Sequence, residues 1–308
     1  MGHDHAHAHG GGHQHAPRNY GRAFIIGIAL NVVFVVVEAA YGISSGSVAL
    51  VADAAHNLSD VLGLALAWAA FVLAQRKPSR RRTYGLRKTT VLAALANSVL
   101  LLVAIGGVSW EAMGRLRAPS RIEGGVVMGV AAIGVIINGV SAALFAKGRK
   151  GDANLRGAFL HLASDAAVSL GVVVTGAIIL RTGWMMLDPI VSLLVSVVIL
   201  VGTWSLLKQS VNLALDAVPE GIDVEAVNAY LTSLPGVVEV HDLHIWAMST
   251  TETALTAHLV MQTNTCEPRF LGDVGKALHQ KFKIEHSTLQ VEPPEAPDPC
   301  RLGAEGAV

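Results

Sequence analysis

Charged side chains are scarce in this chain. Asp, Glu, Lys and Arg together make up 15% of its 308 residues, against roughly a quarter in soluble domains. With 52% hydrophobic residues and a mean hydropathy of +0.49, that shortage excludes an ordinary soluble protein and leaves a membrane composition. An excess of one sign is also missing. The formal net charge is zero, so nothing points to nucleic acid. Cysteine is nearly absent: Cys266 and Cys300 are too few for a disulfide framework, and neither belongs to a CxxC pair. The first residues have neither an apolar h-region nor a small-residue cleavage site, which argues against a signal peptide.

What the chain has in quantity is histidine, thirteen in all, with His3, His5, His7, His9, His13 and His15 crowded at its start. Residues 1–19 are low-complexity His, Ala and Gly. They cannot bury a core, and the expectation is a disordered tail that gathers metal loosely. Six apolar segments follow, at about 22–43, 47–74, 87–112, 123–146, 155–180 and 185–211. Each can cross a hydrocarbon core of ~30 Å at ~1.5 Å per residue, and continuous runs of this kind read as helices. Their flanks are unequal. Arg18, Arg22, Arg76, Lys77, Arg80, Arg81, Arg82, Arg87, Lys88, Lys147, Arg149, Lys150 and Arg156 fall on one side, and only Arg115, Arg117, Arg121 and Arg181 on the other. The positive-inside rule then puts both termini in the cytoplasm. A bacterial inner membrane is the simplest location.

Beyond residue 212 the composition turns soluble. Pro219–Asp223 reads as a linker with Asp223 as a helix N-cap. A short helix over 223–234, strands over Val237–Met248 and Thr253–Gln262, a helix over Pro268–Phe282 and a strand over Ser287–Glu292 give the order αββαβ. The chain is thereby divided into a His-rich tail (1–19), an all-α six-helix membrane bundle (20–212), a cytoplasmic α+β domain (213–292) and a loose Pro-rich end (293–308).

Inside the apolar segments stand two echoes, His56-Asn-Leu-Ser-Asp60 and His161-Leu-Ala-Ser-Asp165. A spacing of four stacks His and Asp on one helix face, a turn apart. In a soluble core this would suit a hydrogen bond made for packing. At membrane depth ionisable groups are costly and mark function. Two imidazoles and two carboxylates make a tetrahedral shell for a borderline divalent ion such as Zn²⁺, and Co²⁺, Cd²⁺ and Ni²⁺ also suit it. No thiolate lies in the helices, which argues against Cu⁺. Both ligand types bind metal only when deprotonated, so metal entry expels protons. An ordinary imidazole near ~6.5 makes that exchange easy around neutral pH. A site that holds either metal or protons is the physical core of an antiporter. Asp53 shares the face of His56 and Asp60 a turn away, and is expected beside the shell or on the exit path. Asn31, Glu38, Asn97, Asn138 and Asn154 either line a cavity or bond between helices. Asp188-Pro189 is expected to cap and open the sixth helix.

At Ser47–Asp60, His161–Asp165, Leu215-Asp-Ala-Val-Pro219 and Val240-His-Asp-Leu-His-Ile-Trp246 the chain resembles the cation diffusion facilitator family, and within it the zinc and cobalt-zinc-cadmium exporters. The likeness runs from about residue 20 to 300. It implies a homodimer that exchanges cytoplasmic metal for external protons by alternating access, with His56, Asp60, His161 and Asp165 as the transport site. It implies a ferredoxin-like, metallochaperone-like cytoplasmic domain that binds further Zn²⁺, for which His241, His244, His258 and Glu292 are candidates. Cys300 resembles a C-terminal cysteine ligand of some relatives, and His286 is a weaker candidate. The loop Arg82–Lys88 departs from relatives that carry a histidine metal site there. It has no His or Asp, so no metal is expected in it; its cations would hold anionic headgroups or enforce topology.

Two rivals fit less well. A catalytic zinc keeps an open position and a nearby base, whereas here a fourth ligand closes the shell and no HExxH-type base appears, so an intramembrane metalloenzyme is disfavoured. A metal sensor anchored in the membrane would need no charge in lipid.

Overall fold

The computed structural model describes residues 20–119, 121–146, 153–262 and 269–293. The tail 1–19, Cys266 and Cys300 lie outside the described residues. All six apolar segments are helices: α1 (Tyr20–Ser45), α2 (Val48–Ala74), α3 (Thr89–Arg117), α4 (Gly124–Ala146), α5 (Ala153–Thr182) and α6 (Leu187–Ala214). Five of them carry described stretches long and apolar enough to cross a membrane, and α1 adds the shorter apolar stretch Val32–Ser45. Their outward faces keep large apolar side chains such as Val36, Val103, Trp110 and Val201 exposed, as a lipid solvent allows and water does not.

The chain packs as two units, residues 1–54 with 120–188 and residues 55–119 with 189–308. In the first, Phe34 of α1, Ala49 and Leu50 of α2, Val127, Val130 and Ala131 of α4 and Val172 of α5 share one core. The backbones of α4 and α5 nearly touch. A Cβ on Gly176 would stand 2.9 Å from both the Gly124 carbonyl and the Met128 amide, so glycine is required where small residues let membrane helices approach. Glu38, Asp53 and Asn138 are all buried here.

Asp188 departs from the expectation. Asp188 lies within the first turn of α6, which begins at Leu187, and its carboxylate reaches the start of α2. It accepts from Ser47 Oγ and from the backbone N–H of Val48 at 2.8 Å and Ala49 at 3.4 Å, all at the start of α2. Ser47 Oγ in turn accepts from Leu50 N–H at 3.1 Å. The reason is electrostatic. A fully buried carboxylate needs several donors, and the free N–H groups and positive dipole end of α2 supply them.

In the second unit Asn97 of α3 lies against α2. A Cβ on Gly63 would come within 2.8 Å of its amide nitrogen, and Ser59 Oγ donates to its carbonyl at 3.4 Å. The same unit contains the C-terminal domain: α7 (Val224–Thr232), β1 (Val237–Ala247), β2 (Thr253–Met261), α8 (Phe270–Phe282) and β3 (His286–Glu292). The αββαβ order is as expected. Asp223 caps α7, accepting from Ala226 N–H at 3.0 Å. The sheet runs β1-β2-β3, with β1 antiparallel and β3 parallel to β2, so α8 serves as the crossover that parallel strands require. Leu243, Ile245, Leu255 and Leu259 on one face of the sheet bury against Val227, Leu231, Val274 and Leu278 of the two helices. Among the described residues, neither helix of this domain packs on the other face.

Loop 75–88 meets this domain. Arg87 pairs with Glu252 at 2.8 Å. Lys88 Nζ donates to the Leu213 carbonyl at 3.0 Å and to the Asp216 carboxylate. Thr250 N–H donates to Thr90 Oγ1 at 3.1 Å, and the Tyr84 ring stands edge-on to His286 at 5.8 Å. Two of the loop's cations, Arg87 and Lys88, therefore have protein partners.

Candidate metal centres

On α2 the helical repeat brings His56 and Asp60 together, with Nε2 and Oδ2 3.8 Å apart and side chains 16% and 28% exposed. Asp53, a turn before His56, is fully buried and accepts from Ser169 Oγ of α5 at 2.8 Å. Asp165 is buried on α5, one turn before Ser169. His161 lies on α5, but its side chain falls outside the described residues, as do those of Asn31 and Asn154. Imidazole and carboxylate on apolar helices form a donor set that can take a divalent ion.

On the open face of the sheet, His241 of β1 and His258 of β2 are register partners. Glu292 of β3 stands two residues beyond Gln290, the partner of His258, so it shares that face diagonally. Its two oxygens reach both rings: Oε1 lies 2.8 Å from His258 Nδ1 and Oε2 3.4 Å from His241 Nε2. The ligand atoms of all three residues lie within 4.8 Å of one another. His244 stays outside this trio, half-exposed, with Nε2 2.8 Å from Asp242 Oδ1. His286, at the other end of β3 and paired with Ala254, is about 20 Å along the strand from Glu292 at ~3.3 Å per residue, so it does not join the cluster.

Asp242 is the residue that the reading of the sequence passed over. His241 and His244 are three apart, which on a regular strand would put them on opposite faces. The register slips by one residue between them, and Asp242 there takes a left-handed φ of 52°. The bulge puts both histidines on the open face and turns the Asp242 carboxylate toward His258 Nε2, 3.6 Å away. The odd spacing of two histidines in one strand was the available signal.

Long apolar helices, one with His and Asp stacked on a face, followed by a small domain that clusters imidazoles, point to a multi-pass membrane protein for moving divalent metal cations. Comparison with known proteins agrees. Residues 24–213 match the cation efflux transmembrane domain and residues 219–294 the cytoplasmic domain of cation efflux proteins. The chain is 38% identical over 294 residues to the metal cation efflux system protein CzcD of Cupriavidus metallidurans, covering 95% of this chain and 90% of the relative. It is 35% identical over 302 residues to the zinc transporter ZitB of Escherichia coli, covering 96% of each. It is 30% identical over 286 residues to the cadmium, cobalt and zinc/H(+)-K(+) antiporter of Bacillus subtilis, covering 91% of this chain and 92% of that one. The chain belongs to the cation efflux, or cation diffusion facilitator, family and is a divalent metal cation efflux transporter.

Proposed function

We propose that the protein is a Zn²⁺/H⁺ antiporter that exports Zn²⁺ from the cytoplasm by alternating access, with one ion held by His56, Asp60, His161 and Asp165. The observation that carries this reading is the stacked His56–Asp60 pair at 3.8 Å on an apolar helix, echoed at the same spacing on α5. Membrane-depth imidazole and carboxylate are costly and mark functional sites such as ion pathways. Zn²⁺ binding from the cytoplasm requires these groups to lose protons. When the site turns outward, external protons compete for the same nitrogens and oxygens, and the metal leaves. Asp53, which accepts from Ser169 Oγ, would stand beside this shell or on the exit path. Relatives named for zinc transport and for cadmium, cobalt and zinc antiport support the cargo class. Co²⁺ and Cd²⁺ would travel by the same steps.

On this reading residues 20–212 form the membrane part, with both termini in the cytoplasm of a bacterial inner membrane and two chains forming a homodimer. In the domain over 213–292, His241, His258 and Glu292 would hold a resident Zn²⁺. Two imidazoles and a carboxylate fit that ion and leave a fourth tetrahedral position, for which Cys300 is the candidate from the sequence. The bound ion would tie the three strands together; the chain's own part is to present three donors from three strands on one open face.

The test uses proteoliposomes loaded with a zinc-sensitive dye. Zn²⁺ flux should follow an imposed pH gradient and vanish in Asp60→Ala. Wild-type flux in Asp60→Ala would refute the site, and flux indifferent to collapse of the gradient would refute the coupling.

A further inference from the structure

We propose that Asp242 is a positioning residue for the C-terminal metal site, fixing His258 so that Nδ1, and not Nε2, faces the ion. This rests on the reading of His241, His258 and Glu292 as that site. The two ring nitrogens of His258 face different carboxylates. Nδ1 lies 2.8 Å from Glu292 Oε1, on the side where His241 Nε2 also converges. Nε2 lies 3.6 Å from Asp242 Oδ2, a carboxylate on a different strand from Glu292. A metal-bound histidine commonly donates its other ring N–H to a carboxylate, which fixes the tautomer and the ring's orientation. Asp242 is placed for that task and only 13% exposed.

Three features single out this carboxylate. First, its backbone sits at a φ of 52°, a region that L-residues enter at a cost and that clusters at functional sites. Second, its other oxygen is engaged by His244 Nε2 at 2.8 Å, so the carboxylate is itself oriented. His244 thereby acquires a part without being a ligand: it steadies the group that steadies His258. Third, the corresponding contact on the other ring is looser. Glu239 Oε1 lies 3.7 Å from His241 Nδ1, and its side chain is 65% exposed, so it is a weaker orienter. The line His244, Asp242, His258, Glu292, His241 thus alternates imidazole and carboxylate across β1, β2 and β3, and Asp242 is the member that needs a bulge to take its place.

The test is Zn²⁺ affinity of the full-length protein in detergent, by competition with a chromophoric chelator, in an Asp60→Ala background that disables the transport site. Asp242→Gly accepts the left-handed backbone freely but has no carboxylate. It should bind about 10–100-fold more weakly, the range for loss of such an outer partner. Asp242→Asn keeps an acceptor and tolerates the same backbone, so it should lose less. Glu239→Ala should change affinity by less than about threefold. In ¹⁵N-histidine spectra of the Zn²⁺-loaded protein, His258 should show metal at Nδ1 and a proton on Nε2. A merely structural role for Asp242 would leave Asp242→Gly within twofold of its parent. That result, or metal at Nε2, overturns the proposal. If His258→Ala also binds unchanged, the site assignment fails and Asp242 has nothing to position.

Discussion

The two places where imidazole meets carboxylate are built differently. On α2 a single helical turn supplies the pair, and the contact between His56 and Asp60 is a long 3.8 Å. On the sheet three strands supply the donors, the tightest contact is 2.8 Å, and both nitrogens of His258 face carboxylates. On the proposed reading the first site must release its cargo and the second must keep its ion. The contrast teaches that imidazole can be brought to carboxylate either by the helical repeat of one element or by the register of three strands.

The largest expected effect separates the two places outright. Asp165→Ala should lower Zn²⁺ transport on the order of 100-fold, because a ligand contributes at least as much as an outer partner, while Zn²⁺ binding by the C-terminal domain stays as it was. A parallel loss at both would erase the distinction. Next, in an Asp60→Ala background that disables the transport site, His258→Ala should remove most of the Zn²⁺-dependent rise in thermal midpoint, since only an ion bound to the folded state raises it. Scanning calorimetry with and without Zn²⁺ reads this directly, and an undiminished rise would place the stabilising ion elsewhere. Smaller again is the effect of Asp188→Ala, which strips the start of α2 of its buried acceptor. We expect a loss of about 1–3 kcal/mol in stability with transport reduced but present, seen as an earlier unfolding midpoint in detergent. The smallest is Arg87→Ala. Its pair with Glu252 is 39% exposed on the arginine side and 35% on the glutamate side, so the loss should stay below ~1 kcal/mol and shrink further in salt.

How much of this could be read from the sequence follows from how local each feature is. Helix spans and the His–Asp stacking depend on residues four apart, and α2, α5 and the αββαβ order are legible without any fold. Asp223 as the cap of α7 is equally local. Asp188 was not, because its partners lie about 140 positions earlier, at Ser47 and Val48; a carboxylate beside a proline looks like a cap for its own helix until another helix start is packed against it. The pairings of Arg87 with Glu252 and Lys88 with Asp216 are hidden for the same reason. Asp242 is a third kind of case. Its neighbours His241 and His244 were visible, but a bulge with a left-handed residue is a departure from strand periodicity that only the register reveals. His244 belonged with the candidates by type, and the sheet gives it Asp242 as partner instead of the trio.

The central claim is that one membrane-depth site holds either Zn²⁺ or protons. Calorimetric titration of Zn²⁺ into full-length His258→Ala protein, repeated near pH 6.5 in buffers of different ionisation enthalpy, tests it most directly by counting protons released per ion bound. Net proton release that disappears when Asp60→Ala is added is the expected result. Zn²⁺ binding with no proton release, or release that survives the loss of Asp60, would contradict it.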